Sequence, residues 1–247
     1  MKMGDRKTML LEELFNYTKP YMESFKSKNN RMIVSESKVN KGDFGLAIDG
    51  EYWMNYALLN PSQAYELFSQ YYLAKGHCIC TGLGFTVRES WISTKKSVEK
   101  ITVIEKNKEV IEYHKYIKNP ILEKLEIINC DASEYVGKCD TLLLDHHANE
   151  GNEQILREVA DIQRNIQCQV LWFWPLEQII TDTTIIEGGD VFNTYLKLKE
   201  KHGLYKLPNI SRELIEMFCF MFCLHNLKYK IEFSDRELTR EELEAFT

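Results

Sequence analysis

The sequence predicts an α/β protein: a parallel sheet with helices on both faces, preceded by a small region of helix and β-hairpin. Three observations predict it. From residue 76 onward, short and nearly continuous apolar runs alternate with amphipathic helical segments. A glycine turn follows the first apolar run, and acidic residues stand at or just beyond the ends of the next three, up to residue 145.

The elements follow in order. Residues 77–80 form the first apolar strand, and residues 87–92 a short helix. Residues 101–105 (ITVIE) make the second strand and residues 108–116 the second helix. Residues 125–129 and 141–145 (TLLLD) are the third and fourth strands. Residues 154–165 place Ile155, Leu156, Val159 and Ile162 on one helical face, and residues 169–174 form a fifth strand ended by Pro175. Upstream, residues 8–27 have helical spacing broken at Pro20, and residues 31–35 and 44–49 read as two strands joined by a turn at residues 40–43. The run Tyr52-Trp53-Met54-Asn55-Tyr56 fits either an aromatic wall of a site or core under the hairpin. Asn60 or Ser62 caps a helix reaching about residue 73. Beyond residue 176 a C-terminal extension holds helices near 190–202 and 211–224 and a strand at 228–233. The chain thus divides into residues 1–75 and a domain of residues 76–247.

Composition bounds the function. With 44% hydrophobic and 28% charged residues in 247, the chain has the make-up of a globular protein with a real core. A formal net charge of −6 disfavours sequence-independent nucleic-acid binding, which needs a basic face. The seven cysteines include no Cys-x-x-Cys pair, so they read as small buried hydrophobes in a reducing cytosol rather than a metal site. The charged N-terminus lacks a signal-peptide core, and the apolar stretch at residues 217–224 is too short for a bilayer. A cytoplasmic protein without a membrane partner is expected, with homo-oligomerisation left open.

Four strand ends carry the chemistry. Thr81-Gly82-Leu83-Gly84 follows the first strand, and glycine there allows backbone conformations and close approaches closed to other residues. The same turn also serves plain strand-to-helix connections. Glu105 ends the second strand, 21 residues after Gly84 (105 − 84), where a carboxylate can accept from both hydroxyls of a ribose. Asp131-Ala132 follows the third strand and Asp145-His146-His147 the fourth. All fall at the carboxyl edge where such sheets bind ligands. A histidine beside Asp145 fits a general base, and equally a packed or wet loop residue. No metal site is expected, since adjacent histidines rarely converge on one ion.

Residues 78–145 resemble the class I methyltransferase superfamily, whose fold is Rossmann-like. The segment Ser97-Val98-Glu99-Lys100-Ile101-Thr102-Val103-Ile104-Glu105, followed by Glu109-Val110-Ile111, is most similar to the spermidine synthase branch. Leu46-Ala47-Ile48-Asp49-Gly50 resembles that branch's small N-terminal β-domain. The resemblance implies S-adenosylmethionine as cofactor, held by Thr81, Gly82, Leu83, Gly84, Glu105, Lys106, Asp131, Ala132 and Asp145. In it, Glu105 would hold the ribose, Asp131 the adenine amino group, and Asp145 the ligand's amino end or the acceptor. Cys80 stands where the family carries an acid, the third glycine is missing, and His146-His147-Ala148-Asn149 replaces small polar residues with a second Asp and Pro. No Asn/Asp-Pro-Pro-Tyr follows the fourth strand, which argues against methylation of planar amines or amides.

The leading expectation is a transferase moving a methyl group from S-adenosylmethionine to a small-molecule acceptor. Asp145 is the first candidate as base or orienter and His146 the second. Aminopropyl transfer is the alternative. Behind it stand cleavage of S-adenosylmethionine, NAD-dependent oxidoreduction and non-catalytic nucleotide binding.

Overall fold

Alternation of apolar and polar residues governs the N-terminal sheet. The computed structural model describes residues 24–36, 43–57, 66–146 and 151–233. Strands β1 (Ser24–Lys26), β2 (Met32–Glu36), β3 (Asp43–Ile48) and β4 (Glu51–Ala57) form an antiparallel sheet in that order. Phe25, Met32, Val34, Phe44, Leu46 and Ile48 are buried, two residues apart within each strand, so one face of the sheet is the inner one. Phe25 meets Tyr113 edge-on, with ring centroids 5.3 Å apart.

The main sheet has five parallel strands: β5 (Gly76–Thr81), β6 (Val98–Ile104), β7 (Leu125–Ile128), β9 (Thr141–Leu144) and β11 (Val170–Phe173). Two-residue strands β8 (Gly137–Lys138) and β10 (Ile166–Gln167) pair separately. The spatial order is β11-β9-β5-β6-β7. Read from β7 and renumbered within the sheet, this is 3-2-1-4-5, the Rossmann order, which reverses between β5 and β9. Successive side chains Cys78, Ile79 and Cys80, and likewise Leu142, Leu143 and Leu144, are fully buried although they alternate faces. Both faces of the sheet are therefore covered.

The flanking helices are α1 (Phe68–Leu73), α2 (Val87–Ile92), α3 (Lys108–Tyr116), α4 (Asn152–Asn165), α5 (Leu176–Glu187), α6 (Val191–Lys201) and α7 (Arg212–Phe233). α5, α6 and α7 pack against one another, and α1 packs on β11 and α7.

Several expectations are corrected. Of the helix expected over residues 8–27, residues 8–23 lie outside the described residues and residues 24–26 are strand β1, because Phe25 packs by lateral pairing with β2 rather than along a helical stripe. The aromatic run at 52–56 lies in strand β4, so the expected hairpin is a four-stranded sheet. Residues 228–233 continue α7: no Gly or Pro interrupts the helix, and six alternating residues are too few to fix a period. α5 was not foreseen, since its β-branched Ile and Thr residues blur the helical pattern. The helix reaching residue 73 is described from Phe68, and the caps Asn60 and Ser62, the turn at 40–42 and His147 lie outside the described residues. Five cysteines are buried and Cys130 and Cys223 partly so, all of them free thiols. Among the described residues no helix is long and apolar enough to cross a membrane.

Candidate functional site

The carboxyl ends of β5, β6, β7 and β9 open onto one cleft of about 450 Å³. The N-terminal sheet supplies its opposite wall through Leu46, Ile48, Tyr52, Trp53 and Met54. Every residue nominated from the sequence lines it: Thr81, Gly82, Leu83, Gly84, Glu105, Lys106, Asp131, Ala132, Asp145 and His146. Topology brings them together, because the strand order reverses between β5, which ends in Thr81, and β9, which Asp145 follows.

The glycine turn is held from several sides. Gly82 and Gly84 have φ of +75° and +46°, conformations that side chains rarely adopt. A Cβ on Gly82 would collide with the backbone carbonyl of Asp145, and one on Gly84 would meet the Met54 Sδ at 2.8 Å. The glycine at 82 is thus required by the approach of β9's end, rather than by a ligand alone. Glu105, 5% exposed, accepts from the Leu83 N–H at 2.7 Å and the Asn107 N–H at 2.6 Å. Burial raises the Glu105 pKa, and the two backbone donors oppose that. From behind, buried His114 donates from Nε2 to the Gly84 carbonyl at 2.7 Å while Nδ1 accepts from Asn119 Nδ2 at 3.0 Å. Burial lowers the His114 pKa to about 4, so the ring is neutral and its tautomer is set by these two bonds.

Asp131 is committed locally. Its Oδ1 accepts from the Ser133 N–H at 2.9 Å and hydroxyl at 2.7 Å, and Oδ2 pairs with Lys106 Nζ at 2.7 Å. The Lys106 and Ser133 bonds lower its pKa to about 2.

Asp145 sits in a recess, and the 35% of its side chain that stays accessible faces the cleft. Removal from water raises its pKa to about 6; Arg88 and His146 pull downward, Glu66 and Glu89 push upward. The Arg88 Nη1 lies 3.5 Å from Asp145 Oδ2. His146 is bound at both ring nitrogens: Nδ1 lies 2.5 Å from the Thr81 Oγ1 and Nε2 3.1 Å from Glu158 Oε1. The Thr81 hydroxyl oxygen also accepts from the Asp145 N–H at 3.1 Å. His146 therefore clasps β5, β9 and α4 together, and must break a bond before it can act as a base.

Sequence reasoning missed Arg88, Glu89, His114, Glu158 and Glu66. The first two had a signal: adjacent charges inside a six-residue helical segment that also carries Val87, Trp91 and Ile92. Glu66 accepts from Trp174 Nε1 at 2.7 Å, across 108 residues, and no local pattern announces such a pair. Among the described residues no group of His, Cys, Asp and Glu side chains could hold a metal.

No family profile and no curated protein matches the sequence. Solved structures with a similar fold include a spermidine synthase in complex with the transition-state analogue AdoDATO, 20% identical over 58% of this chain and 51% of that one, TM-score 0.40. The spermidine synthase of Thermotoga maritima is 17% identical over 61% and 54%, TM-score 0.42. A protein from Pyrococcus horikoshii described as an RNA methyltransferase is 15% identical over 76% and 81%, TM-score 0.41. The matched region spans about half the length of the two spermidine synthases.

Proposed function

We propose that the protein binds S-adenosylmethionine in this cleft and transfers a group from it, the methyl group foremost, to a small-molecule acceptor. The observation that carries the reading is the convergence of the glycine turn, Glu105, Asp131 and Asp145 on one crevice at the sheet's switch point. Charge supports it further. Among the described residues the lining holds Glu66, Glu89, Glu105, Asp131, Asp145 and Glu158 against two permanent cations, Arg88 and Lys106. That surplus of carboxylates suits a sulfonium cation and an ammonium group, and it opposes the pyrophosphate of a dinucleotide.

The residues fit the nucleoside. Each Glu105 oxygen accepts one backbone N–H and keeps acceptor capacity for a ribose hydroxyl. S-adenosylmethionine supplies an electrophilic methyl carbon on positively charged sulfur. The chain's own task is to orient the acceptor and take up its proton. Asp145 is the group for that proton, because its affinity lies close to neutral pH and its carboxylate faces the cleft. A second reading, aminopropyl transfer from the decarboxylated nucleotide, is favoured by the Glu66 carboxylate lining the cleft together with Asp145, an acidic pair that suits a cationic amine acceptor.

A thermal-shift panel tests the proposal. S-adenosylmethionine and S-adenosylhomocysteine at 100 times their dissociation constants should stabilise the protein by about 2.7 kcal/mol, and NAD should not. Absence of a shift with every S-adenosyl nucleotide would refute it.

A further inference from the structure

Arg88 is 4% exposed and lies directly beneath the glycine turn. Its Nη2 donates to the Thr81 carbonyl at 3.0 Å and the Gly82 carbonyl at 2.9 Å, and Nε donates to Glu89 Oε1 at 2.8 Å. Nη2 also lies 2.6 Å from the same Glu89 oxygen. The other terminal nitrogen is held far less tightly. Nη1 makes one long hydrogen bond, to Gln70 Oε1 at 3.4 Å, and an ion-pair contact with Asp145 Oδ2 at 3.5 Å that is not a hydrogen bond. A guanidinium cannot shed its charge, so a buried one with two loosely used donors is costly unless an anion faces them. Glu89 neutralises the guanidinium on its Nε–Nη2 side, and Asp145 is the anion that faces Nη1. One rigid planar group thus touches both the carbonyls of the turn and the carboxylate at the end of β9.

We propose that Arg88 is a positioning residue for Asp145, fixing the carboxylate in register with the glycine turn and holding it in its ionised form through Nη1. The proposal rests on the reading of Asp145 as the acceptor's base. The geometry makes two demands on one side chain. One nitrogen, Nη2, holds two successive carbonyls at the end of β5 while the rigid plane carries Nη1 toward Asp145, a span that a single ammonium cannot cover. The charge offsets the desolvation of Asp145 and the negative charges that face it, Glu89 on α2 and Glu66 ahead of α1, while His146 acts in the same sense as Arg88. Contacts of this kind are commonly long in the free protein and tighten when ligand closes the site.

The test follows the Asp145 carboxyl by carbon NMR on protein labelled at the aspartate carboxyl carbon, with Asp145→Asn to assign the signal. Arg88→Gln removes the charge and keeps amide donors; Arg88→Lys keeps the charge and loses the fork. The Asp145 midpoint should rise by about one pH unit, tenfold in proton affinity, in Arg88→Gln, and stay within about half a unit in Arg88→Lys. An unchanged midpoint in Arg88→Gln, or equal shifts in both variants, would overturn the proposal. Should neither variant fold, nitrogen NMR of wild-type Arg88 decides, since its guanidinium signals should titrate with the Asp145 midpoint, and their failure to do so overturns it too. These titrations need no nucleotide. A wild-type protein that shows the linkage yet binds no S-adenosyl nucleotide would defeat the proposed function alone.

Discussion

The Glu105 carboxylate accepts a hydrogen bond from the Leu83 N–H at 2.7 Å, tying the end of β6 to the middle of the glycine turn. The residue expected to hold a ribose is therefore also a brace. Glu105→Ala should lose roughly 1.5–3 kcal/mol of stability, the range for hydrogen bonds to a charged group. It should also weaken S-adenosylhomocysteine by tenfold or more. Denaturant midpoints and titration calorimetry check the two separately; unchanged stability would mean the turn holds itself.

The two glycines should respond unequally. Alanine at 82 is strained at φ +75° and drives its Cβ into the Asp145 carbonyl, which belongs to backbone and cannot swing away. Gly82→Ala should cost roughly 2–5 kcal/mol, the sum of left-handed strain and overpacking. Gly84→Ala meets only the thioether of Met54, a flexible side chain, and should cost about 1 kcal/mol beyond its strain. Met54→Ala in the Gly84→Ala background should recover part of that loss. Equal costs at the two positions, read by chemical denaturation, would contradict the geometry.

The sheet was legible because its strands are buried on both faces and so appear as unbroken apolar runs such as Thr141–Leu144, each followed by a polar strand end. The site was legible for the same reason: strand order carries Glu105, Asp131 and Asp145 to one edge whatever lies between them. What stayed hidden was long-range. Strand β1 owes its existence to pairing with β2, and three residues hold no period. The His114 bond to Gly84 spans 30 residues, and Glu158 reaches His146 from the far side of the unpatterned segment before α4. Spacing within one element cannot reveal partners fixed by tertiary packing.

His114 gives the fold a pH signature. Its folded pKa of about 4 lies below the ordinary 6.5, so the unfolded chain binds more protons between those values. Stability from this group is complete above about pH 6.5 and falls as pH drops toward 4, by about 3 kcal/mol at most. Asp145 and Glu177, raised to about 6 and about 7, slope the other way: their contribution diminishes as pH rises through those values. The informative quantity is thus the difference between wild type and His114→Gln. That variant should be nearly as stable as wild type at pH 4.5 and clearly less stable at pH 7.5. A constant difference across this range would show that His114 does not titrate as buried.

Asp145 separates the reactions this cleft can serve. It follows a fully buried strand, its N–H is fixed by the Thr81 hydroxyl, and its carboxylate faces both the cleft and Arg88. If the carboxylate receives the acceptor's proton, Asp145→Asn should leave S-adenosylhomocysteine affinity within about threefold and slow turnover by about 10²-fold or more. Wild-type turnover should then rise with pH through about 6, as the carboxyl ionises, and level off above 7. If the carboxylate instead holds the ligand's amino group, the same change should weaken the nucleotide tenfold or more, because a charge-assisted hydrogen bond becomes a neutral one. The donor's own carboxylate supplies the second axis. A methyl-transfer site should prefer S-adenosylmethionine to its decarboxylated form, whereas the acid-rich wall around Glu66 and Asp145 would reverse that preference in an aminopropyl-transfer site. Titrating both nucleotides against wild type and Asp145→Asn resolves the four combinations, and tighter binding of the decarboxylated form by wild type would displace methyl transfer as the leading function.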